Sequence, residues 1–113
     1  MIIVKLLVPD KLQGDIFAKS LLDKKYTLNV FGNHFESYYL NSLGVQEHRN
    51  VYVIQFLTKS MLFNEIEEGL KHEFPTIDFS ICATPVVHLA VQLHDKIRQR
   101  VNGRNLIDEE TEN

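Results

Sequence analysis

Residues 50–57 read Asn-Val-Tyr-Val-Ile-Gln-Phe-Leu, and both sides of this stretch are apolar. In an extended chain, successive side chains point to opposite faces. Val51, Val53 and Leu57 then share one face, interrupted by Gln55, while Tyr52, Ile54 and Phe56 share the other. A strand in a two-layer domain needs only one buried face. The second apolar face has to meet more protein, and in a chain of 113 residues that cover is expected from another copy. Val51, Tyr52, Ile54 and Phe56 are the expected interface residues.

Working outward, Ile2–Val8 alternates and reads as a first strand, closed by Pro9-Asp10. Asp10 is a good helix N-cap, and Gln13 completes a capping-box spacing. A helix to about Lys24 follows, with Leu12, Ile16, Phe17, Ala18, Leu21 and Leu22 as its apolar stripe. Gly14 costs it about 1 kcal/mol relative to Ala. Tyr26–Phe31 reads as the second strand, Gly32-Asn33 as a bend, and 34–40 as an extended continuation ahead of a turn at 42–47. After the central strand, Thr58 or Ser60 is expected to cap a helix carrying Leu62, Ile66 and Leu70, which Pro75 ends. Ile77–Ala83 reads as the fourth strand, with Cys82 opposite Phe79 and Ile81. A last helix to roughly Val101 buries Leu89, Ala90, Leu93, Ile97 and Val101, and Gly103 closes it. The resulting order is β-α-β-β-α-β plus a C-terminal helix, an α+β ferredoxin-like antiparallel sheet. The domain is expected over 1–102, with a flexible acidic tail over 103–113.

Composition narrows the partners. A net charge of −3 without a basic stripe argues against nucleic acid. No apolar run reaches the length of a membrane span, and the apolar N-terminus has neither a basic lead nor a cleavage site. The single Cys82 closes no internal disulfide, so a reducing, cytoplasmic setting is expected.

Several segments resemble the CutA-type divalent-cation tolerance family, trimeric ferredoxin-like proteins related in architecture to the PII signalling proteins. Val8-Pro9-Asp10 resembles its first strand-to-helix junction, and Ser37-Tyr38-Tyr39 its serine–aromatic strand. Val51 through Thr58-Lys59 resembles its long central strand, and Ala83-Thr84-Pro85-Val86 the exit of its fourth. The resemblance covers roughly residues 2–100 and implies the fold and a homotrimer. Asn29 stands where that family commonly has a cysteine, Phe74-Pro75-Thr76-Ile77 replaces its His-Pro-Tyr-Glu, and tryptophan is absent. A metal role tied to those positions is therefore not carried over.

The residues themselves offer modest chemistry. A transition-metal site wants three or four converging ligands. Of five histidines, His88 and His94 sit on different helix faces, whereas His72-Glu73 is the best local pair for a divalent cation. The simpler reading of His72 is a helix C-terminal histidine favoured by the dipole. His34, Glu36 and Tyr38 alternate along one face, and His34, Glu36, Tyr39 and Lys59 are candidates to line a ligand cleft between subunits. Lys96, Arg98, Arg100 and Arg104 complement a helix C-terminus, or contact an anion such as a nucleotide phosphate. No phosphate loop is present, and Cys82 shows no base to activate it. The expected function is a non-enzymatic homotrimer binding divalent cations or a small ligand at clefts between subunits. The alternatives are a PII-like nucleotide or metabolite sensor, and a small ferredoxin-like enzyme using His72 or Cys82.

Overall fold

Asp10 ends one element and begins the next. Its backbone is extended, and its carboxylate accepts the Gln13 N–H at 2.9 Å. The reciprocal half of a capping box does not form, because the Gln13 side-chain oxygen is buried without a hydrogen-bond partner. The computed structural model describes residues 1–101; the expected tail, Gly103 and Arg104 lie outside the described residues.

The order is β1 (Ile2–Val8), α1 (Lys11–Asp23), β2 (Phe31–Leu40), β3 (Gln46–Thr58), a 3-10 turn (Ser60–Leu62), α2 (Phe63–Glu73), β4 (Ser80–Pro85) and α3 (Val91–Arg100). All strand pairs are antiparallel, in the order β2-β3-β1-β4, which is the expected ferredoxin-like sheet. One sheet face carries Val4, Leu6 and Val8 from β1 and Tyr52, Ile54 and Phe56 from β3. Phe17 and Leu21 of α1, and Leu62, Ile66 and Leu70 at α2, close over it. Phe17 stacks on Phe74 at 4.8 Å and meets Phe79 edge-on at 5.3 Å, tying α1 to the segment after α2. Ile97 and Val101 bring the end of α3 into the same core.

Tyr52, Ile54 and Phe56 are thus covered by this chain's own helices, and only Val51 of the four expected interface residues lies on the other face. Alternation revealed two apolar faces but carried no mark of which one the helices take. Val51 and Val53, with Leu7 beside Val53 and Ile3 beside Leu57, lie on the face opposite the helices, and both valines are buried in the single chain. Phe31 and Phe35 from the edge strand extend this face and are 62% and 48% exposed.

Other expectations shift for physical reasons. Tyr26–Val30 is a loop, not a strand, and Gly32-Asn33 lies inside β2. The loop follows from the end of α1: Tyr26 N–H reaches Leu21 O and Lys25 N–H reaches Leu22 O, both at 3.0 Å, and Lys25 takes φ 58°. That is a Schellman closure, with Tyr26 turned into the core. The buried line of α1 is Gly14, Phe17, Ser20 and Leu21, whereas Leu12, Ile16 and Leu22 are exposed. A Cβ on Gly14 would lie 2.4 Å from Tyr52 Cδ2, so that glycine is a point of close approach between helix and sheet. Neither Thr58 nor Ser60 caps α2. Thr58 is fully buried and donates to Tyr26 O at 2.6 Å. Strand β4 begins at Ser80, with Ile77 and Phe79 packing on the core before it, and α3 begins only at Val91, leaving Ala90 and Leu93 exposed.

Candidate functional site

The β2–β3 hairpin carries the densest set of polar and aromatic side chains. Its register places His34 opposite Tyr52, Glu36 opposite Asn50 and Tyr38 opposite His48. The turn is built by Asn41, whose side-chain oxygen accepts the N–H groups of Leu43 and Val45 at 2.9 and 3.0 Å. Gly44 there takes φ 77°.

On one face the Tyr38 hydroxyl donates to Glu36 Oε2 at 3.1 Å, and its ring stacks on His48 at 4.8 Å. His48 Nε2 lies 3.9 Å from Glu36 Oε1. Nearer the core, the His34 ring meets Tyr52 edge-on at 4.9 Å. His34, Glu36 and Tyr38 lie along one face of β2, and His48 joins Glu36 and Tyr38 there. Tyr38 and His48 are equidistant from Leu43, and that signal becomes usable once 31–40 is taken as one strand.

Tyr39 points to the other face. Its hydroxyl donates to Glu47 Oε2 at 2.9 Å, the Arg49 guanidinium lies 4.8 Å from its ring centre, and Asn41 Nδ2 donates to Glu47 Oε1. The bonds from Asn41 and Tyr39 hold the Glu47 carboxyl below the usual carboxylate range. The bond to Glu47 in turn pushes the Tyr39 phenol up. Lys59 follows the opposite end of β3, about 40 Å from Glu47 at 3.3 Å per residue. One chain does not bring Lys59 to Tyr39, and the four cleft candidates do not converge within it.

His72 and Glu73 close α2. Glu73 accepts a bond from the Ser20 hydroxyl at 2.9 Å and pairs with Lys24, so its carboxylate joins the two helices. Lys24, foremost, and Ser20 lower its pKa against a smaller opposing effect of burial. His72 borders a concavity with Tyr26, Met61, Glu68 and Gly69. Among the described residues, no group of three or more His, Cys, Asp or Glu side chains stands close enough to hold a metal ion. A single chain thus does not fit a transition-metal ion at His72-Glu73: there are two donors, and one is committed to holding α1 against α2.

Cys82 is exposed, opposite Lys5 in the β1–β4 register. On α3, Arg98 lies 3.8 Å from Asp95. No helix among the described residues is long and apolar enough to cross a membrane.

No family model and no curated protein matches the sequence. Solved structures do match the fold. The periplasmic divalent cation tolerance protein CutA from Archaeoglobus fulgidus has a TM-score of 0.79 and 24% identity, over 90% of this chain and 100% of that one. The divalent cation tolerance protein from Thermus thermophilus gives 0.79 and 20%, over 90% and 100%. CutA1 from Oryza sativa gives 0.80 and 20%, over 89% and 93%. The chain has the fold of the CutA proteins over about nine-tenths of its length.

Proposed function

We propose that this chain is a CutA-like divalent-cation tolerance protein: a non-enzymatic homotrimer that takes divalent cations or a small ligand at the clefts between copies. The observation that carries this reading is the sheet face opposite the helices, where Phe31 and Phe35 are exposed beside Val51 and Val53, which are buried already in the single chain, and the half-buried Leu7. Large exposed apolar patches mark interfaces, and the long overlap with CutA structures favours a second copy as the cover. One chain keeps Tyr39 and Lys59 away from each other and from His34 and Glu36, so a cleft that uses all four draws them from different copies. A metal site would likewise complete its donor set across the interface, since His72-Glu73 alone is insufficient.

Light scattering on the purified protein tests the assembly, with three times the chain mass as the expected result. Titration calorimetry with copper or zinc, and separately with adenine nucleotides, tests the ligand. Binding of a divalent ion by the trimer fits the proposal. Binding of nucleotide alone transfers the reading to a PII-like sensor, and a stable monomer at micromolar concentration removes it.

A further inference from the structure

On the face opposite the helices, one row away from the hairpin tip sets a cation between two other polar side chains. Gln55 of β3, Lys5 of β1 and Cys82 of β4 are register partners side by side, with Phe31 of β2 at the end beyond Gln55. The neighbouring row is Asn33, Val53, Leu7 and Ser80, and on the far side lie Leu57, Ile3 and Thr84. None of these residues is acidic. Lys5 is on a central strand, exposed in the single chain, and has no ion-pair partner among the described residues.

A lysine in the middle of a face that other copies cover is an ammonium withdrawn from water. Such a charge needs a counter-charge and further hydrogen bonds. Lys5 supplies three donors and Gln55 an amide NH2 beside it, with the Cys82 thiol as a weak third donor. On one chain's face this is a cation with several donors, one amide oxygen and no carboxylate, which matches an anion that has several acceptor oxygens. We propose that the assembled protein holds a small tetrahedral oxyanion, of the phosphate or sulfate class, against Lys5 in the interface between copies. This rests on the assembly proposed above, and it adds an anion site to it that uses neither the polar cluster at the hairpin tip nor the end of α2.

The test is titration calorimetry of the full chain with inorganic phosphate and with sulfate, alongside light scattering on the same samples. The expected result is saturable binding at the assembled mass, retained within about tenfold by Lys5→Arg and weakened at least tenfold by Lys5→Met and Lys5→Gln. Lys5 is exposed in the single chain, so these variants leave its core intact. A trimer that binds neither anion, or a Lys5→Met variant that binds as tightly as the natural chain, overturns the anion site and leaves the assembly standing. A monomer overturns both.

Discussion

The Tyr52 ring passes over Gly14 of α1 so closely that a Cβ there would stand 2.4 Å from Cδ2. Its hydroxyl lies over Gly32 of β2, where a Cβ would stand 2.2 Å away. Two glycines in different elements are thus required by one side chain. Alanine at position 14 should stabilise an isolated helix by about 1 kcal/mol. In this fold Gly14→Ala should instead destabilise by about 1–2 kcal/mol, because the overlap forces the ring or the helix to move. Urea unfolding reads the sign directly. In a Tyr52→Ala background the same change should become stabilising, and a cycle without such coupling would show that the contact is not felt.

Lys25 holds a left-handed backbone at the end of α1. Lysine has no side-chain reason to prefer it, and glycine adopts it without a Cβ penalty. Lys25→Gly should raise stability by about 0.5–1 kcal/mol, read as a higher urea midpoint with unchanged slope. Lys25→Val should lower it.

The Glu73 carboxyl is depressed by Lys24 first and then by Ser20. A depressed folded-state pKa adds stability above the unfolded value, near 4.5, and that stability is lost as pH falls through the folded value. The side chain is 37% exposed, so solvent screening reduces the effect to about 0.5–1 kcal/mol. Glu73→Gln should be less stable than the natural chain by that amount from pH 8 to 5. The gap should close below pH 4.5 and shrink in high salt. A gap unchanged at pH 3 would assign the loss to packing.

The two faces of β3 should respond differently to charge. Ile54 is 1% exposed beneath the helices, so Ile54→Glu should cost several kcal/mol and abolish the folded circular-dichroism spectrum at any concentration. Phe31 is 62% exposed in the chain, so Phe31→Glu should leave the single chain folded but reduce its mass in light scattering from that of the proposed trimer to that of a monomer. A Phe31→Glu protein that keeps the trimer mass would place the contact between copies elsewhere.

Much of the architecture was legible because local and tertiary demands agree. Asp10 caps α1, Leu62, Ile66 and Leu70 line α2, and Ile2–Val8 alternates into β1. The failures occur where a distant residue sets the local answer. Gly32 reads as a break, yet it continues β2 because the Tyr52 hydroxyl occupies the space of a side chain. Leu12 and Ile16 look like the buried side of α1, but Gly14 lets the helix come down on another line. Of the hairpin cluster, His34, Glu36 and Tyr38 followed from alternation alone. His48 needed the cross-strand register, which a misplaced start of β2 concealed.

The strand order has a consequence for biosynthesis. β1 is made first but lies between β3 and β4, so one of its edges waits for Tyr52 through Thr58 and the other for Ser80 through Pro85. At roughly 5–20 residues per second of elongation, the nascent chain carries an apolar ribbon with open hydrogen-bonding edges for several seconds. Ribbons of this kind associate with one another between ribosomes. The lone cation at its midpoint, Lys5, breaks the run Ile-Ile-Val-Lys-Leu-Leu-Val with a charge, which raises the cost of such premature pairing.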